Sequence, residues 1–163
     1  TQPQKISSDA VNFADFMRLL APPTPVTSYG NITSTSITQG SGLFETVGCS
    51  LCHTPSMKTD TSSTSALNSK TANLYSDLLV HHMGTGLADD ITQGSAGPDE
   101  FRTAPLWGVG QRIFFLHDGR TKDLHEAIQQ HASRGSEANA VINNYNLLSR
   151  DDKQALINYL RSL

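Results

Sequence analysis

The residues best suited to chemistry stand together as Cys49-Ser50-Leu51-Cys52-His53, a C-x-x-C-H pattern. The spacing has a physical meaning. Two thiols three positions apart on a helical turn can each add to one vinyl group of the same porphyrin. The histidine that follows is then carried beneath the ring, where an imidazole nitrogen can ligate the iron; this is the pattern of c-type haem attachment. Three plainer readings compete. A redox C-x-x-C wants a strand before it and a helix after it, whereas here a helical stretch precedes it and Pro55 ends regular structure at once. A zinc site needs further ligands at short spacing, and the chain has no third cysteine. A Cys49–Cys52 disulfide is allowed but strained. The cofactor expected is one haem c, bound covalently through Cys49 and Cys52 and ligated by His53.

Elements on either side must position that motif. Residues 7–20 read as a helix capped by Ser7 or Ser8, with Val11, Phe13, Phe16, Met17, Leu19 and Leu20 on an apolar face, and Met17 as core. Pro22, Pro23 and Pro25 stop it, and a Ser/Thr-rich extended stretch, 27–38, follows as a strand or a strapped-down arm. Leu43, Phe44 and Val47 are at helical spacing ahead of the motif, and Gly48 leaves room beside Cys49 for a flat macrocycle. Residues 54–71 are polar and read as a surface loop, and 73–80 as a short buried segment. His81-His82-Met83-Gly84 opens a Gly-rich acidic loop that runs to Glu100. A helix is expected over 121–132, and a last one opens at Ser149 with Asp151 and Asp152 at its positive end. That last helix should bury Ala155, Leu156, Tyr159 and Leu160.

Length and composition bound the rest. The chain's 163 residues suit one domain, 1–163, with an N-terminal helix and arm over 1–37 and a haem-binding core over 38–163. Hydrophobic residues make up 37% and charged residues only 17%, the latter against ~25% in typical globular domains, and Ser and Thr fill the gap. A large apolar cofactor would complete so thin a core. The net charge of -3 gives no footprint for nucleic acid. No apolar run approaches a membrane span, and no signal peptide stands at the N-terminus, which reads as one already removed.

Three longer motifs carry a resemblance. Glu100-Phe101-Arg102-Thr103-Ala104-Pro105-Leu106-Trp107, Phe115-Leu116-His117-Asp118-Gly119-Arg120 and Leu124-His125-Glu126-Ala127-Ile128 resemble the C-terminal haem domain of the bacterial dihaem cytochrome c peroxidase superfamily. The similarity is greatest to its di-haem oxidoreductase (thiol oxidoreductase) branch, through Met83-Gly84 and Leu87-Ala88-Asp89, and it runs from about Leu43 to the last residue. The resemblance implies an all-α, cytochrome c-like domain with long irregular loops, in which the helix before the motif crosses the last one beside the haem. Members usually hold two haems, and this chain has one motif. It therefore reads as a monohaem relative or as the C-terminal part of a longer protein.

The sixth iron ligand is the open position. Relatives place a Met or Tyr roughly a dozen residues after the His-Asp-Gly glycine, and twelve residues after Gly119 stands His131. His131 is the ligand expected, with Met83 as the alternative, since a thioether also serves haem iron. His81 and His82 are adjacent, so at most one points inward. His125 should be exposed, and His117 should fix its loop by hydrogen bonding beside the cofactor. Arg102, Arg112 and Arg120 are the cations nearest by motif for the haem propionates, Arg102 foremost, and Trp107 could pack on the macrocycle.

Two functions follow. One is a monohaem c-type cytochrome that passes single electrons through a low-spin, six-coordinate haem to a redox partner protein, without catalysis. The other is part of a dihaem oxidoreductase acting on peroxide. Covalent haem attachment places either in a bacterial periplasm or outside the cell.

Overall fold

A computed structural model of the chain describes residues 8–163. Helix α1 runs over Asp9–Leu19, and Ser8 caps it through a hydrogen bond from the Val11 N–H; Ser7 lies outside the described residues. Its apolar face is present but meets no core. Val11, Phe13, Phe16, Met17, Leu19 and Leu20 are all at least half exposed, so Met17 is a surface residue.

Helix α2, Ser34–Val47, begins inside the stretch expected to be extended. Thr33 explains the early start: its hydroxyl accepts the Ser36 N–H and satisfies a free donor of the first turn. Gly48 ends the helix in the left-handed region at φ 103°, with its N–H returned to Glu45 and Phe44 carbonyls. Conformation, more than open space, sets its role, because a Cβ there would lie 3.3 Å from both Leu51 and Val141. The last helix of the chain, Arg150–Ser162, opens at Ser149, whose hydroxyl accepts the Asp152 N–H. It buries Ala155, Leu156, Tyr159 and Leu160, as the periodicity predicts. It crosses α2 at Gly40, where any Cβ would overlap the Ala155 carbonyl. Phe44 and Val47 from α2 and Leu156, Tyr159 and Leu160 from the last helix form the core's centre.

Between these two helices the chain is not all-α, and that expectation is overturned. Among the described residues five α-helices stand beside two two-stranded antiparallel sheets. Strands β1 (Met57–Lys58) and β2 (Thr71–Ala72) close the polar loop, and β3 (Val80–His82) pairs with β4 (Glu100–Arg102), His81 opposite Phe101. The cause is the length of the loops. A long excursion must still satisfy its backbone groups, and short ladders do so where helical periodicity is absent. The expected buried segment is split for the same reason: Leu74 and Ser76 are buried, whereas Leu78, Leu79 and Val80 are exposed. Helix α3 is shorter than expected, Leu124–Gln129, and α4, Asn139–Leu147, went unpredicted. The last helix is therefore α5. Tyr145 of α4 is fully buried and its hydroxyl meets His125 Nδ1 at 2.7 Å.

Candidate haem site

Cys49 opens a 3-10 turn, Cys49–Leu51, directly after the Gly48 cap, and the His53 N–H bonds the Cys49 carbonyl at 2.9 Å. The two thiols are unbridged and half-buried. Burial pushes the Cys49 thiol up to about 12, and burial together with the Asp77 and Glu137 carboxylates raises that of Cys52. A redox C-x-x-C needs a lowered thiol pKa to supply thiolate; this pair is set the other way.

The segment expected to be simply buried, 73–80, clamps the motif. The Tyr75, Ser76 and Asp77 N–H groups donate to the carbonyls of Pro55, Thr54 and Cys52, at 3.2, 2.9 and 2.8 Å. Ser76, fully buried, anchors the segment by donating to the Thr103 carbonyl. The signal for this clamp is conformational, in the positive φ of Tyr75 and Leu78, and leaves no mark in residue type.

His53 and His131 share one chemical setting. Burial lowers the His53 pKa to about 4, and His131 is close enough that its charge would lower it further. Burial lowers the pKa of His131 as well. Both rings are therefore neutral at pH 7. His53 Nδ1 meets the Tyr75 carbonyl at 3.0 Å, and His131 Nδ1 meets the Ala127 carbonyl at 2.7 Å. A carbonyl only accepts, so each Nδ1 bond is donated by the ring; each imidazole also has a second carbonyl neighbour, Ala104 for His53 and Ile128 for His131. Although embedded deeply enough for burial to shift them, both rings keep part of their surface open, as do both thiols. Two unbridged thiols at C-x-x-C spacing and two neutral imidazoles, each anchored at Nδ1 and all partly uncovered, fit a haem.

The other predicted residues are scattered around this centre. Arg102 is exposed on β4, in a cleft of about 330 Å³ shared with Asp89 and Glu100. Trp107 is 37% exposed in the turn whose Gly108 N–H bonds the Leu163 carbonyl. His117 stacks on Phe101 with ring centres 4.4 Å apart and pairs with Asp89 at 3.7 Å. Arg120 is committed to Asp118 and the Gly86 carbonyl, and Arg112 is exposed. The Met83 backbone is held between the Asp99 carbonyl and the Ser133 hydroxyl. His125, exposed as expected, is bound to Tyr145.

His81 is held at both ring nitrogens. Its Nε2 is 2.9 Å from Asp77, its Nδ1 2.8 Å from Glu137, and Cys52 Sγ lies 3.9 Å from Nδ1. The Glu137 and Asp77 hydrogen bonds outweigh burial and raise its pKa, and in return His81 helps hold both carboxyls below their usual range. The Cys52, Asp77 and His81 donor atoms all lie within 4.8 Å of one another, close enough to hold a metal ion. Among the described residues no helix is long and apolar enough to cross a membrane.

Comparison with known proteins agrees with a haem setting. No curated protein matched the chain. A solved structure of hydrazine synthase from Kuenenia stuttgartiensis, pressurised with 20 bar of xenon, is similar in fold, with a TM-score of 0.55 and 19% identity. That likeness covers 91% of this chain and 52% of the other, so the chain spans about half the length of its structural neighbour. The family model described as "Di-haem oxidoreductase, putative peroxidase" matches residues 2–163, and the chain belongs to that family.

Proposed function

We propose that this chain is the haem c-bearing part of a two-haem oxidoreductase acting on peroxide, and that its own haem relays single electrons. The carrying observation is the pairing of His53 and His131 as neutral imidazoles, each anchored at Nδ1 by a backbone carbonyl, beside two unbridged thiols at C-x-x-C spacing. The family's description as di-haem and peroxidase favours this over a free-standing monohaem carrier, which the single motif alone would suggest.

In this reading Cys49 and Cys52 would tether the macrocycle, and His53 and His131 would ligate its iron. Bound there, the haem supplies a one-electron Fe(III)/Fe(II) couple. With both imidazoles engaged, this haem would supply electron relay alone, and the peroxide chemistry would belong to the second haem. The remaining residues serve the rim: Arg102 for a propionate, Trp107 against the macrocycle, and His117 to fix the loop it shares with Phe101 and Asp89. The exposed Leu78, Leu79 and Val80, next to the clamp on the motif, are apolar surface that a porphyrin would cover. The whole chain forms one domain with its haem-binding core over 38–163. Covalent attachment places it in the periplasm or outside the cell, with a redox partner protein that delivers or accepts the electron.

The test is the absorption and EPR spectrum of the oxidised holo-protein, with His131→Ala beside it. The wild type should be low-spin with two nitrogen ligands and inert to peroxide. His131→Ala should turn high-spin and gain peroxide reactivity. A far-red sulfur-to-iron charge-transfer band would move the sixth ligand to Met83, and a high-spin wild type that turns over peroxide would overturn the relay role.

A further inference from the structure

The carbonyl that holds His53 belongs to a residue in an unusual conformation. Tyr75 has a φ of 54°, in the left-handed region that side chains other than glycine avoid. No turn requires a tyrosine there, and any residue could have offered the carbonyl. What distinguishes Tyr75 is its ring. It packs edge-on against Phe44 of α2, with centres 6.2 Å apart and planes at 85°, and against Tyr159 of α5, at 6.3 Å and 74°. Phe44 and Tyr159 are themselves in edge contact at 5.6 Å, and the hydroxyls of the two tyrosines are hydrogen-bonded. The strained residue is thus gripped by the helix crossing at the centre of the fold, while the N–H groups of 75–77 pin its backbone to the motif.

His131 differs in this respect. Its acceptor, the Ala127 carbonyl, belongs to the last turn of α3, and the His131 N–H goes instead to Ile128. That bond caps a helix end. The bond to His53 has no such structural duty, and the conformation that produces it costs strain.

We propose that Tyr75 is a positioning residue for His53: its left-handed backbone, held by the Phe44–Tyr159 aromatic clamp, aims the carbonyl at Nδ1 and so sets the orientation and basicity of the iron ligand. A hydrogen bond from the non-ligating nitrogen makes the imidazole a stronger donor, which favours the ferric iron and lowers the potential. The inference rests on the reading that His53 ligates a haem.

The experiment measures the reduction potential of the holo-protein, and the exchange rate of the His53 Nδ1–H by NMR, for Tyr75→Phe, Tyr75→Gly and Phe44→Leu. Tyr75→Phe keeps both ring contacts and loses only the hydroxyl bond to Tyr159, so its potential should stay within a small fraction of the Tyr75→Gly shift. Tyr75→Gly tolerates the same φ but frees the carbonyl. It should shift the oxidation equilibrium about tenfold toward the reduced form, 59 mV upward for one electron, and expose the Nδ1–H to exchange. Phe44→Leu loosens the clamp with Tyr75 intact and should move both readouts the same way by less, which keeps the test decisive if the glycine variant fails to fold. Wild-type potential and protection in Tyr75→Gly and Phe44→Leu, with His-ligated spectra retained, would overturn Tyr75 and leave the haem reading standing. A wild type without a histidine-ligated haem would overturn both.

Discussion

His81 is the residue whose charge state is most constrained by its surroundings. Its raised pKa gives a sign that can be worked out. A group whose folded pKa lies above its unfolded value of 6.5 contributes stability that is complete below 6.5 and fades as pH rises through the folded value. Asp77 and Glu137 act oppositely: their lowered pKa values contribute above the unfolded values of 3.8 and 4.5, and the contribution is lost in acid. The cluster is therefore worth most between about pH 5 and 6.5. His81→Gln should destabilise the fold by about 1 kcal/mol at pH 6, allowing for solvent screening of these partly open groups. Urea denaturation should show that difference shrinking as pH is raised toward 9. A difference independent of pH would show that the ion pairs do not carry it.

At the scale of elements, the α2–α5 crossing is the feature the site depends on. It carries Phe44 and Tyr159, and it ends where Gly48 turns the chain into Cys49. Gly40→Ala would gain about 1 kcal/mol of helix propensity, but its methyl has nowhere to go against the Ala155 carbonyl. Overpacking costs about 1–3 kcal/mol, so the net effect should be destabilising, and thermal denaturation should show a lower Tm. An unchanged or raised Tm would mean that the helices can part at no cost. Helix α1 gives the opposite expectation. None of its residues is buried, so removing residues 1–20 should leave the Tm nearly unchanged. A large drop would show that α1 covers core.

These two helices also show what a sequence can reveal. Helix α5 was legible because its burial follows a 3.6-residue period with a serine cap at its start. The α1 periodicity was equally legible and yet misled about burial, since a pattern cannot say whether anything lies opposite. Helix α4 mixes Asn143, Asn144 and Asn146 with its apolar positions, and so hides its register; the Asn144 side chain bonds the Val47 carbonyl across to α2. In the site, the C-x-x-C-H motif is a local pattern and could be read directly. The clamp over 75–77, the Tyr75 carbonyl and the His81 carboxylate pair arise from contacts between distant segments, and no residue spacing encodes them.

For the molecule as a whole, the modest hydrophobic composition and the partly uncovered thiols and imidazoles fit the proposed haem, whose porphyrin would complete the core. The family assignment supports a haem, and the membership in a di-haem family shifts the expected role from a free electron carrier to one member of a haem pair. Everything proposed for the haem depends on covalent attachment at Cys49 and Cys52. That attachment is tested most directly by acid–acetone extraction of the protein matured in a host with cytochrome c assembly machinery, followed by intact-mass measurement. One haem should stay with each polypeptide, and Cys49→Ala/Cys52→Ala should release it. A wild-type chain that gives up all its haem to the solvent, or carries none, would contradict the attachment.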